Sequence, residues 1–235
     1  MDIRVKHTIT NRLLQKMDRD DLALLLPDLT SVELPPRKLL ETANKAVEAI
    51  YFVQSGMVSV VANAGKGASI EVGLVGLEGM TGISAITGAM SSPGTTFSQA
   101  ASVALKIGVT EFQSAVTQSP TLQKFLLLYV HTFLHQVAQN ALAHALYTIE
   151  ERAARWLLMA QDRIGGERIG LTHEVLSVML GVRRPGVTTA LGVLERNGLI
   201  SVSRGAITIL NRSQLSKLAG NSYGIAEAEY ARVFG

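Results

Sequence analysis

Apolar residues near the start of the chain, Leu13, Leu14, Met17, Leu22, Leu25 and Leu26, fall at helical spacing. Asp18, Asp20 and Asp21 suit the start of a second short helix, and Pro27 marks its end. Beyond Pro35-Pro36 the pattern changes. From 37 to 110 the apolar residues come in short runs divided by turns. IYFV and MVSVVA flank Gln54-Ser55-Gly56, SIEVGLV follows Gly65-Lys66-Gly67, and VALKIGV closes the region at Val103–Val109. Short strands with glycine turns predict a small barrel or roll. The stretch from Gly76 to Thr96, rich in Gly, Ser and Thr, reads as a helix-plus-loop insertion between strands.

Helical spacing returns from Pro120 to about Ala145, with Ser119 placed to N-cap and Pro120 at the first helical position. Leu122, Leu126, Tyr129, Phe133 and Val137 recur at three- and four-residue steps. Phe125, Leu127, Leu128, Val130 and Leu134 make the helix apolar nearly all round, so it must be covered on more than one side. The roll covers one side; a second copy of the helix would cover another, giving a two-fold dimer paired through Leu126, Tyr129, Phe133 and Val137. EERAARWLLMAQDRIGG then predicts an amphipathic helix with Ala153, Trp156, Leu157 and Ala160 inward, stopped by Gly165-Gly166. The expected organisation is α+β: a roll over 1–118, a pairing helix over 119–146 and a smaller domain over 147–235, its compact part at 171–218.

That smaller domain carries the most specific pattern. In THEVLSVMLGVRRPGVTTALGVLERNGLISVSRGAITIL, Thr172 can cap a helix with Val175, Leu176, Met179 and Leu180 apolar. Gly181 suits a left-handed stop, and Val182 is apolar in the turn. Ser177 is small where helices cross, and Val187, Ala190, Leu191 and Leu194 form the inner stripe of the next helix. This is helix-turn-helix spacing. Asn197-Gly198 ends the second helix, and LISVS, Arg204-Gly205 and AITIL predict a hairpin wing. In such a domain the second helix lies in the major groove with its N-terminal residues on base edges. Arg183 and Arg184 stand there, where arginine can bind guanine bidentately, and Arg204 at the wing tip suits phosphate. Pro185 is tolerated in a first turn, so the RRPG stretch opens the helix with Arg183 at or just before its cap. Gly186 weakens that helix and would permit close approach of the DNA backbone. Charge sharpens the picture. Arg168, Arg183, Arg184, Arg196, Arg204, Arg212 and Lys217 face only Glu174 and Glu195 across 168–217, whereas the whole chain has a net charge of +3.

A roll, a long helix and a winged helix in this order resemble the CRP/FNR transcription regulators. The resemblance covers nearly the whole chain and is carried by LTHEVLSVMLGVRR, by the later GLI and RG, and less specifically by IYFVQSGMVSVV and ERAARWLL. It implies a homodimer on a palindromic double-stranded DNA operator. It implies that Arg183, Arg184, Thr188 and Thr189 face the DNA, with Thr172, His173, Pro185 and Arg204 beside them, and that RNA polymerase is a further partner. Many members have Ser at the cap and Glu where Pro185 stands; losing that acid removes an acceptor for cytosine N4.

The cyclic-nucleotide-binding members of that family carry a Gly-Glu pair and then an arginine that holds the phosphate. Here Glu78-Gly79 is reversed, and no arginine lies between Arg37 and Arg152. Backbone amides of Gly76, Gly79 and Gly82, with Glu78, are what remains of an effector pocket. Standard cAMP binding is not expected, since a phosphate buried without a paired cation is costly. With no cysteine, disulfides and cysteine-ligated iron–sulfur clusters are excluded. His7, His131, His135, His144 and His173 are the histidines; His131 and His135 share a helix face as either a metal pair or packing residues, and packing is the favoured reading. No cofactor or metal is therefore expected. NAGKGAS lacks the first glycine of a P-loop and GISAI lacks the second glycine of a nucleophile elbow, so no enzyme is expected either. A hydrophobic content of 47% argues against disorder. The absence of a membrane-length apolar run or a signal-peptide core points to the cytoplasm. The competing reading is a small-molecule or metal sensor whose winged helix contacts protein. Effector, operator, regulated genes and the choice between activation and repression stay open.

Overall fold

A computed structural model describes residues 9–63, 65 and 69–235. His7, Lys66 and Gly67 lie outside them. The chain divides into two compact units. One holds the chain up to Val58 and again Val75–Leu127; the other holds Ser59–Leu74 and Leu128–Gly235.

The first unit opens with α1 (Arg12–Lys16) and α2 (Arg19–Leu25). Asn11 caps α1, accepting from Leu14 N–H at 3.0 Å, while its amide donates to the carbonyls of Val53 and Gly79, each at 2.8 Å. Asp18 caps α2. The strands are β1 (Thr30–Leu34), β2 (Leu39–Glu41), β3 (Ala49–Ser55), β6 (Thr95–Ser98) and β7 (Ser102–Gly108), with β4 (Val58–Asn63) and β5 (Ser69–Val75) intervening in sequence. Antiparallel pairing gives the order β1-β7-β3, and β2 pairs with β6. Ile50, Phe52, Met57, Met80, Ile107 and Phe112 are fully buried between these strands and helices. The expected helix in the Gly76–Thr96 insertion is α3 (Ile83–Thr87).

Three features here depart from the sequence reading. β1 reads poorly as a strand because most of it is exposed. β2 is only three residues long. α4 (Val109–Gln118) follows β7 directly, where no helix is expected. Its β-branched residues are weak helix formers, and burial of Phe112 and Ala115 holds it in place.

α5 (Pro120–Leu146) is the long helix, and Ser119 caps it, accepting from Leu122 N–H at 3.2 Å. The unit division falls within it. In the second unit β5 neighbours β4 at a sheet edge. α5 covers that edge: Gln136 accepts from Leu74 N–H at 2.7 Å and Asn140 donates to Val72 O at 2.7 Å. Both amides satisfy backbone groups that an open edge would leave to other chains. Gly73 lets the Phe133 ring sit 2.4 Å from where a Cβ would stand.

A break at Tyr147 and Thr148 precedes α6 (Ile149–Ile164), which begins with a reciprocal capping box between Thr148 and Glu151. Ala153, Trp156, Leu157 and Ala160 are buried as expected, and Gly165 stops the helix at φ 74°. β8 (Arg168–Gly170), α7 (His173–Leu180), α8 (Arg184–Arg196), β9 (Ile200–Ser203) and β10 (Ala206–Ile209) complete a winged helix. The wing is a three-stranded sheet in the order β8-β10-β9 rather than a bare hairpin. Two further helices extend the domain, α9 (Arg212–Ala219), capped by Asn211, and α10 (Ile225–Phe234).

The four residues expected to pair on α5 differ in exposure: Leu126 and Tyr129 are buried in their own chain, whereas Phe133, which lies against Gly73, and Val137 are half-buried. The exposed apolar residues are Leu127, Leu128, Leu134, Leu142 and Leu146.

Candidate nucleic-acid interface

Thr172 caps α7, its hydroxyl accepting from Val175 N–H at 3.2 Å. Gly181 ends α7 at φ 60°, its N–H reaching the carbonyls of Ser177 and Val178. Ser177 is buried between the helices, and its carbonyl also accepts from Val182 N–H. Arg183 then occupies the N-cap of α8 with extended φ and ψ, and Pro185 sits in the first turn. The proline removes only an N–H that would lack an intrahelical partner. Val187, Ala190, Leu191 and Leu194 are buried, so the opposite face of α8 looks outward.

That outward face carries Arg183, Arg184, Pro185, Thr188 and Thr189, all exposed. Among the described residues, Arg183 and Arg184 make no side-chain hydrogen bond or ion pair. Their guanidinium groups remain available to an outside acceptor. Thr188 donates to Arg184 O at 3.2 Å and Thr189 to Pro185 O at 3.1 Å. With the hydroxyl hydrogens used locally, each threonine offers a methyl group and an acceptor lone pair. His173 Nδ1 lies 3.0 Å from Thr188 Oγ1. Since Thr188 spends its hydrogen on Arg184 O, His173 donates here, fixing its tautomer and tying α7 to the first turn of α8.

Arg204 sits at the wing tip, where Gly205 turns the chain at φ 74° between Ser203 and Ala206. Arg168 is exposed on β8, opposite Thr208 of β10, and adds a cation to the wing sheet that no motif singles out. Arg212, counted in the basic excess, is engaged: it binds Asp162 at 2.7 Å, Gln161 at 2.6 Å and Tyr223 at 2.8 Å. At Gly186 a Cβ would meet Ile149 Cδ1 at 3.4 Å, an ordinary contact, so packing against α6 does not require a glycine there.

This region matches a family model along its length. Residues 151–218 are a Crp-like helix-turn-helix domain. No curated protein sequence matches the chain. Solved structures share the fold across nearly the whole of it. A CRP/FNR-family protein from Eubacterium rectale is 20% identical, with 88% of this chain and 97% of that one covered and a TM-score of 0.71. A CRP-family transcriptional regulator from Thermus thermophilus is 17% identical, with 80% and 96% covered and a TM-score of 0.69. The c-di-GMP-responsive global regulator CLP of Xanthomonas campestris is 16% identical, with 82% and 99% covered and a TM-score of 0.67. The chain thus has a Crp-like domain within the fold of the CRP/FNR regulators: a cyclic-nucleotide-binding-like roll, a long helix and a winged helix.

On the roll, the glycine loop holds itself together. Gly76 N–H donates to Glu78 Oε1 at 3.3 Å, Gly79 N–H to Gly76 O at 3.0 Å, and Gly82 N–H to Glu41 Oε1 at 2.9 Å. The three amides expected to receive an anion each have an acceptor from the chain. At Gly82 that acceptor is a nearly buried carboxylate, and the Cδ1 of Ile50 lies 2.1 Å from where a Cβ would stand.

Of the two histidines on the same face of α5, His131 has a charged neighbour. His131 Nε2 lies 2.7 Å from Glu229 of α10, which Arg232 also binds at 2.6 Å. Those contacts hold the Glu229 carboxyl down at about 2. No group of three or more potential metal ligands occurs among the described residues. No helix among them is long and apolar enough to cross a membrane.

Proposed function

We propose that this chain is a sequence-specific transcription regulator that binds a palindromic DNA operator as a homodimer. The observation that carries the reading is the outward face of α8, where Arg183 and Arg184 stand unpaired beside Thr188 and Thr189 over a fully buried inner stripe. Arg184 reads a guanine, the threonine methyl groups meet thymine, and Thr172, His173, Arg204 and Arg168 hold the phosphates on either side. With Pro185 in place of an acid, cytosine N4 has no acceptor there, which shifts the preferred half-site.

The exposed leucines of α5 support the dimer. Leu127 is 47% exposed, Leu134 60% and Leu142 40%, on a helix whose other face is already packed. A second copy covers them, and two recognition helices then meet half-sites one DNA turn apart, about 34 Å. The protein works in the cytoplasm, where it meets RNA polymerase.

The roll does not bind a cyclic nucleotide in the standard way. It lacks the arginine, and its loop amides are already bonded. Calorimetric titration with cAMP and cGMP is expected to show no binding at micromolar ligand; tight binding overturns this part.

Selection of bound sites from random duplex DNA tests the whole reading. A palindromic consensus is expected, with affinity falling steeply as salt rises, because neutralised phosphates release counterions. Absent or salt-insensitive binding favours a winged helix that contacts protein instead.

A further inference from the structure

The β4–β5 hairpin belongs to the same compact unit as the winged helix, and it meets the turn between α7 and α8. Ile70 Cδ1 lies 2.7 Å from where a Cβ of Gly181 would be. Next to Ile70 stands Glu71, only 3% exposed. Ser59 Oγ donates to its Oε2 at 2.6 Å, and Trp156 Nε1 donates to its Oε1 at 2.7 Å. The Ser59 oxygen also lies 3.7 Å from Met179 Sδ on α7. A carboxyl carried by β5 is thus joined to α6 through an indole and to α7 through a serine.

Elementary chemistry makes this arrangement two-state. A serine hydroxyl has one hydrogen and can give it to Glu71 or to Met179 at any moment. The indole N–H can only donate, so Oε1 must stay an acceptor. A proton taken up by Glu71 therefore resides on Oε2, the oxygen whose partner can also accept. The acid then donates to Ser59 Oγ, and the serine hydrogen turns to Met179 Sδ. When the proton leaves to solvent, the serine hydrogen returns to Oε2.

We propose that Glu71, Ser59 and Met179 form a proton-operated latch through which the β4–β5 hairpin sets the helix-turn-helix. The groups facing Glu71 fit such a role. Arg155 and Arg163 of α6 favour the ionised form, with Arg155 itself held to Ser222 O at 2.6 Å. Arg152 and His144 line the same small cavity, and Arg152 reaches both His144 Nδ1 at 3.0 Å and Leu180 O at 3.1 Å. Burial works the other way and prevails, so the carboxyl is pushed up to about 7, against the lowering effect of Ser59, Trp156 and the two arginines. Burial and the neighbouring Arg152 and Arg155 charges push His144 down. That a change at α7 alters DNA affinity rests on the DNA-binding reading above.

The full chain carries its own reporter, since Trp156 is its single tryptophan. Trp156 emission is followed from about pH 5 to about pH 9 at fixed ionic strength in the wild type, Glu71→Gln and Ser59→Ala. Hydrogen exchange of α7 and α8, corrected for intrinsic pH dependence, is measured at the two ends of the range. One emission transition near 7 is expected in the wild type. It should be absent in Glu71→Gln, and present but shifted upward in Ser59→Ala, which loses a bond favouring the anion. The exchange of α7 should change severalfold with pH in the wild type alone. A transition that persists in Glu71→Gln, or a pH response of α7 that survives in Ser59→Ala, overturns the latch. Binding of a duplex from the random-DNA selection is measured in parallel. Loss of DNA binding at every pH in all three proteins, with the emission and exchange responses intact, overturns the DNA reading and leaves the latch supported.

Discussion

Gly181 and Gly186 flank the two arginines, and their surroundings ask different things of them. Gly181 has φ 60° and no room for a Cβ beside Ile70. Gly181→Ala is expected to lower stability by about 1–3 kcal/mol, read as a lower urea midpoint at unchanged slope. Gly186 has ordinary helical backbone, and a Cβ would meet Ile149 at 3.4 Å, a normal contact. Gly186→Ala should therefore leave stability level or raise it by up to about 1 kcal/mol. Arg184→Ala should weaken the selected operator by about 1–3 kcal/mol and relax one base position. Uniform weakening across a panel of single-base variants would make Arg184 a phosphate contact instead. The role of Gly181 is legible in sequence because a helix stop is a local event. The room beside Gly186 is not, because Ile149 lies on another helix.

α5 shows the same limit for an element. Its periodicity predicts the helix and its cap, since Ser119, Pro120 and the leucine spacing are all local. Periodicity cannot say which apolar face turns inward when nearly every face is apolar. Packing against Gly73 and the β5 edge decides it, leaving Leu127, Leu134 and Leu142 outside. Leu134→Glu should shift the protein toward monomer in sedimentation equilibrium at little cost in fold stability. Leu126→Ala should cost about 2–5 kcal/mol in stability, as buried leucines do, and is not aimed at assembly. An unchanged mass for Leu134→Glu would place the dimer contact elsewhere. The helix-turn-helix was readable to the residue because its stop, its stripe and its proline-led start are short-range signals. α4 and β8 were not, since their own sequences favour them weakly and tertiary neighbours hold them.

For the molecule as a whole, Glu71 sets a slope of stability with pH. Its carboxyl stands at about 7 in the folded chain against 4.5 ordinarily. The folded state keeps a proton that the unfolded chain has released. Stability is therefore full below the unfolded value and is lost as the pH rises toward 7. The loss amounts to about 3 kcal/mol above that point. His144, pushed down, works in the opposite sense: its contribution is present above the ordinary histidine value and fades as the pH falls. Denaturation of Glu71→Gln beside the wild type isolates the first effect. The variant should gain relative stability from about pH 5 to about pH 8, and a constant difference would refute the assignment.

By itself the sequence determined the local grammar of this protein: where the helices of the winged domain start and stop, the turn at Gly56, the place of Arg183 and Arg184 at the start of α8, and the missing phosphate arginine. These depend on residues within a few positions of one another. Tertiary structure alone decided which face of α5 is left exposed, that Glu41 already occupies the Gly82 amide, and that Glu71 lies under Trp156 and Ser59. Each of these joins residues far apart in the chain, and burial, charge and hydrogen bonding exist only once the fold has brought them together.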